Sequence, residues 1–131
     1  MAEHQHIQLV RKAMQAASTG DNAAMQQLFT RDCVVHLPGS HPHSGEHKGI
    51  DARLDSIRRM REETNGTMRF EPQQLFLDGR GHVIAVRRMT AEHRGRRYDA
   101  VGVAHYTIVG DRIAGLEIYE QDLDQSNQFW S

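Results

Sequence analysis

The sequence predicts an α+β fold: three helices at the N-terminal end, then a strongly curved antiparallel sheet that packs against them. Three observations carry this. Apolar residues recur at helical spacing through most of the first half of the chain. From residue 67 onward, four segments near 67–77, 82–93, 96–109 and 112–122 read as extended. Between them stand Asp78-Gly79, Arg94-Gly95 and Gly110-Asp111, dipeptides rich in residues that tolerate positive φ and so favour tight turns. Several of these segments exceed the usual ~5–6 residues of a strand, and long strands twist and coil. Helices lying on one face of such a sheet leave a cone whose wide end need not be filled by side chains, a place for a small ligand.

The elements follow in order. Ile7, Val10, Met14 and Ala17 share one side of a first helix, which Gly20 ends. Asp21 is placed to cap a second helix carrying Met25, Leu28 and Phe29. The period then changes: Cys33 to Leu37 reads as a short strand stopped by Pro38-Gly39. A third helix aligns Ile50, Leu54, Ile57 and Arg61 and ends near Asn65-Gly66, where the meander begins. Nothing along the chain, neither repeat, low-complexity tract nor linker, divides it, so residues 1–131 are expected to form one domain.

Bulk properties narrow the function. Sixteen basic against seventeen acidic residues give a net charge of −1, without the basic excess that phosphate neutralisation demands of a nucleic-acid binder. The pairs Arg58-Arg59, Arg87-Arg88 and Arg96-Arg97 are offset by nearby acids and read as a solvated face. The single cysteine, Cys33, excludes an internal disulfide framework and, beside Val34 and Val35, reads as a small buried hydrophobe. The opening MAEHQHIQ lacks the apolar stretch of a signal peptide, and no apolar run approaches a membrane span. A cytoplasmic protein without membrane or nucleic-acid partners is expected.

The stretch VVHLPGSHPHSGEHKG, residues 34–49, holds four of the nine histidines. A zinc site needs three or four ligands converging on one ion, and His41, His43, Glu46 and His47 match no zinc-binding spacing; no metal is expected there. Gly45 is followed by Glu46 where a phosphate loop needs lysine. His41, His43 and His47 therefore read as a solvated polar loop. His36 ends a strand, and two readings stay open: an acid or base near neutral pH, or an imidazole bonded to loop backbone.

The order of elements, with STGDNAAMQQLFTRDCVVHLPG, SGEHKG, GTMRFEPQQLFLD, RRYDA, GDRIAGLEIYEQDLD and the closing FW, resembles the SnoaL-like polyketide cyclase group of the nuclear transport factor 2-like superfamily. The resemblance runs from about Ile7 to Trp130. It implies a cone-shaped α+β barrel, an apolar pocket and a homodimer built through the sheet, and it places His36 at the pocket mouth. Members of the group often carry Trp-His before the Pro-Gly; here Val35 replaces the Trp and His36 keeps the imidazole. Characterised cyclases carry a Trp-Asp pair in the last strand, the Asp serving as acid and base. Alignment lands that pair on Glu117-Ile118, so the carboxylate is absent or displaced to Glu117 or Glu120.

Candidate residues follow from strand parity. If Ile113 faces the core, Glu117 and Tyr119 face the cavity with it, and a one-residue slip sends both outward. A carboxylate in an apolar pocket gains basicity, so Glu117 is expected as the base, with His36 and Tyr119 as partners. Tyr106 shares a face with Ala100, Gly102 and Ala104, small residues that widen a cavity; its phenol either polarises a substrate carbonyl or packs. Arg88 either enters the cavity to hold an anionic group or joins the surface arginines. Val101, Val103, His105 and Val109 occupy the opposite face of that strand, as a dimer interface would. Asp122 and Asp124 are expected to cap or solvate the chain end, and Phe129-Trp130 to act as lid or anchor. The expected function is a small-molecule-binding protein, either a cofactor-free isomerase, cyclase or hydratase acting on a hydrophobic carbonyl compound, or a non-catalytic ligand-binding or dimerisation module.

Overall fold

The computed structural model describes residues 3–131; Met1 and Ala2, the start of MAEHQHIQ, lie outside it. Helix α1 spans Gln5–Thr19 and ends at Gly20, whose φ of 71° is the left-handed conformation that glycine adopts at little cost. Asp21 then accepts from the Ala24 amide at 3.0 Å and caps α2, Asn22–Leu28. Strand β1, Phe29–Leu37, turns back through the histidine stretch into β2, Gly45–Lys48, and α3 covers Ile50–Glu63. The remaining strands are β3 (Arg69–Leu77), β4 (His82–His93), β5 (Arg96–Val109) and β6 (Arg112–Glu120), followed by α4, Leu123–Trp130.

The described residues form one six-stranded curved sheet in the order β2-β1-β6-β5-β4-β3. The meander β3 to β6 is antiparallel throughout. The sheet as a whole is mixed, because β6 returns beside β1 in parallel, after the chain has passed through α3 and four strands. Its inner face and the helices share one core. Val10 of α1, Met25 of α2, Cys33 and Val35 of β1, Ile57 of α3, Val83 and Ala85 of β4 and Ile113 of β6 are all almost fully buried.

Several expectations are corrected. Phe29 opens β1 instead of closing the second helix. Residues 45–48, read as solvated loop, pair with β1 from Val34↔Lys48 to Leu37↔Gly45. The chain end forms a fourth helix, with Asp122 accepting from the Gln125 amide at 3.1 Å as its cap. On α3 the inward stripe is Arg53, Ser56, Ile57 and Met60, so a cation enters the core while Arg61 reaches back to the Ser18 carbonyl.

The register of β6 matters most. Ile108 pairs with Ile113, but Thr107 pairs with Gly115, leaving Ala114 as an extra residue. Such a bulge reverses the side-chain parity beyond it. Ile113 faces inward, and after the bulge Leu116, Ile118 and Glu120 face inward too, while Glu117 and Tyr119 point away from the core.

Candidate active site

A cavity lies between the inner face of the sheet and helices α1, α3 and α4. Its walls are mainly apolar: Met14, Met60, Met89, Phe70, Leu116 and Ile118. The space open to the centre of a water molecule is about 60 Å³, several times the ~10–15 Å³ that one water needs on that measure. Three methionines in the wall can change rotamer to admit more than that space alone, since the thioether chain is unbranched and adaptable.

The polar groups of the cavity are few and specific. Arg87 of β4 and Glu120 of β6 form an ion pair at 2.7 Å, their side chains only 3 % and 7 % exposed. They reach each other across β5 because Gly102 stands between them, at register Arg87↔Gly102↔Glu120. An added Cβ there would lie 2.7 Å from Arg87 Nη1 and 3.0 Å from Glu120 Oε2. The second carboxylate oxygen accepts from the Tyr98 hydroxyl at 2.9 Å. Burial, and then the adjoining Glu120 carboxylate, push the Tyr98 phenol well above its usual range and keep it protonated as a donor. Arg87 also sits 5.7 Å over the Phe70 ring.

Tyr106 projects into the cavity from β5, fully engaged in neither hydrogen bond nor ion pair among the described residues. Burial raises its pKa, and the two nearby cations, Arg53 and Arg87, pull it partly back. His41 lines the mouth beside Pro38 and Trp130. Burial, then His43, hold its pKa below the usual imidazole value, so it is neutral at pH 7. Its Nδ1 accepts from the His43 amide at 3.1 Å, which assigns the proton to Nε2. His43 itself is 2 % exposed and edge-to-face with Trp130 at 4.7 Å. Its Nε2 lies 2.7 Å from Glu63 Oε2, close in distance but without hydrogen-bond alignment. His43 therefore anchors the loop to α3 and α4, contrary to the expected solvated loop. Among the described residues, no three His, Cys, Asp or Glu side chains come together as a metal site requires.

The structure separates the predicted site residues. Tyr106 is in the cavity. Glu117, Tyr119 and His36 are on the outer face: Tyr119 is 51 % exposed and donates to Glu117 Oε2 at 3.0 Å, and His36 stands opposite Glu117 in the β1–β6 ladder. Strand parity reverses at the Ala114 bulge, and Glu120, the second carboxylate considered, is the one turned inward. Arg88 is also outside, paired with the exposed Asp99 at 2.6 Å; its neighbour Arg87 enters the cavity. The inward alternation Val83, Ala85, Met89, Ala91 on β4 runs through position 87, a signal present in the sequence. Arg53 had no such signal, because an arginine within a helix reads as surface.

Similarity to known proteins agrees with this architecture. The SnoaL-like domain pattern matches residues 10–116. An uncharacterized protein of Mycobacterium tuberculosis is 28% identical over 131 residues, covering all of both chains. The structure of Bal32a, from a soil-derived mobile gene cassette, superposes with a TM-score of 0.93 at 28% identity, covering 97% of each chain. An NTF2-like protein of Burkholderia xenovorans shares the fold at a TM-score of 0.83 and 19% identity, over 100% of this chain and 99% of that one. With the family pattern covering most of the chain and the fold shared with solved structures, the chain belongs to the SnoaL-like domain family and has the NTF2-like fold.

Proposed function

We propose that the chain binds a small hydrophobic carbonyl compound in this cavity and moves a proton on it without a cofactor, in a reaction of the isomerase, cyclase or hydratase type. The supporting observation is the convergence of a carboxylate, a free phenol and a neutral imidazole on one apolar cavity. In this reading Glu120 takes a proton from the carbon next to the carbonyl. The electron pair of that C–H bond moves to the carbonyl oxygen, where the Tyr106 hydroxyl donates to the developing enolate. Glu120 then returns the proton at a different atom. His41 Nε2–H is a second donor at the mouth.

A second reading, a non-catalytic ligand-binding module, has its own support: both Glu120 oxygens already accept from strong donors, Arg87 and Tyr98, as a structural carboxylate would. In either case the outer sheet face, with Phe76, Ile84, Val101 and Tyr119 exposed, is assigned to a homodimer contact. Among the described residues no helix is long and apolar enough to cross a membrane; a cytoplasmic location and a single domain over 1–131 remain part of the proposal.

Proton exchange tests this reading across a whole class of compounds. A panel of small cyclic and aryl ketones is incubated with the protein in D2O, and α-deuteration is followed by proton NMR. The catalytic reading expects exchange of at least one compound, reduced about 10²–10⁴-fold in Glu120→Gln. Saturable binding with no exchange above the buffer rate refutes it in favour of the module.

A further inference from the structure

We infer that the cavity is built to receive a monoanion, and that Arg53 is the seat for the carboxylate of a small, otherwise apolar molecule. This rests on the reading that the cavity is the ligand site, and it narrows the ligand class within it.

Arg53 comes from α3 and is 6 % exposed, yet its side chain has neither ion pair nor hydrogen bond among the described residues. Its Nε is a buried donor without an acceptor, and so is Nη1 of Arg87. Both arginines line the same cavity. The Arg53 guanidinium lies 5.6 Å over the Phe29 ring, which supplies a face but no acceptor. Native structures rarely leave buried donors unmatched, and a buried cation without a counter-ion is more costly still. Burial does press the Arg53 pKa downward, but a guanidinium keeps its proton in proteins.

Charge counting gives the ligand's valence. Glu120 neutralises Arg87, Tyr106 is a neutral phenol and His41 a neutral imidazole. Arg53 leaves one unbalanced positive charge in the cavity. A planar guanidinium fork with free N–H groups matches a carboxylate geometrically. The surrounding Met14, Met60 and Leu116 ask for an apolar remainder.

The experiment is thermal unfolding of the full chain with paired probes: benzoate against benzamide, and phenylacetate against phenylacetamide. A ligand at about ten times its Kd raises Tm by roughly 5 °C in a domain of this size. At least one carboxylate should raise Tm while its amide does not, a preference of about tenfold or more in affinity. In Arg53→Met that shift should vanish, while the ligand-free Tm equals or exceeds that of the wild type because an unpaired buried charge is gone. Arg53→Lys, which keeps the charge and loses the fork, serves if the first variant does not fold; its carboxylate shift should be reduced. Equal response to acid and amide, no response to any carboxylate, or a carboxylate shift that survives Arg53→Met overturns the proposal. Ketone deuteration can fail while the carboxylate preference stands, or the reverse, so this inference and the catalytic reading fall separately.

Discussion

Gly102→Ala probes the centre of the site with a single methyl group. The added carbon would stand 2.7 Å from both Arg87 Nη1 and the Tyr119 carbonyl oxygen, and 3.0 Å from Glu120 Oε2, where ordinary carbon contacts lie near ~3.5–4.0 Å. The Tyr119 carbonyl is backbone, in the β6 strand that pairs Gly102 with Glu120, so it cannot step aside alone. Arg87 and Glu120 must part or the strands must spread. Overpacking of this kind costs about 1–3 kcal/mol, and splitting a buried ion pair about 3–5 kcal/mol. Reduced freedom of the unfolded chain returns about 0.4–1 kcal/mol. A net loss of about 3–7 kcal/mol is expected, read by urea denaturation as a lower midpoint at unchanged slope. Gly115→Ala is the control, since its nearest neighbour would be Thr107 Cβ at 3.4 Å; a change within about 1 kcal/mol is expected there. A Gly102→Ala protein within about 0.5 kcal/mol of wild type would overturn this expectation, because the ion pair could not then span β5 as described.

Other outcomes follow from the same geometry. His41 and His43 both have pKa values lowered in the fold, chiefly by burial. The unfolded chain therefore binds more protons, and their contribution is complete above the ordinary value of 6.5 and is lost as pH falls below it. Melting curves between about pH 8 and pH 5 should show a smaller acid loss in the double His41→Gln/His43→Gln variant; parallel curves would contradict this. Tyr98→Phe removes a buried donor from Glu120 and should lower stability by about 1–3 kcal/mol in urea. Trp130, the only tryptophan, lines the cavity, so a bound ligand should change intrinsic fluorescence saturably; binding seen by calorimetry with no optical change would place the ligand elsewhere. Val103→Glu puts a charge in the centre of the outer sheet face and should yield a monomer in sedimentation velocity with its Tm little changed, whereas an unchanged sedimentation coefficient would locate any dimer contact elsewhere.

The fold was legible because its signals are local: helical spacing in the first half, and Gly-containing turns between long alternating strands in the second. Tyr106 was legible for the same reason, since its strand keeps strict alternation from Tyr98 to Ile108. Glu117 and Tyr119 were misplaced by one residue, Ala114, whose bulge depends on pairing with β5 and leaves no mark in the local pattern. Arg88 and Arg87 exchanged roles because charge outweighed the inward alternation running through position 87. Arg53 was invisible as a core residue; only tertiary packing of α3 against β1 and the sheet turns its face inward. The histidine stretch is divided by tertiary contacts as well: His43 is buried against Trp130, a residue far away along the chain.

If this cavity is where a small molecule binds, its methionines report on the event directly. In protein carrying ¹³C-methyl methionine, the compound that raises Tm most should shift the Met14, Met60 and Met89 methyl signals, whose side chains form the wall, and leave Met25 and Met68, fully buried elsewhere in the core, in place. Shifts at Met25 and Met68 with the other three unmoved would put the ligand outside the cavity.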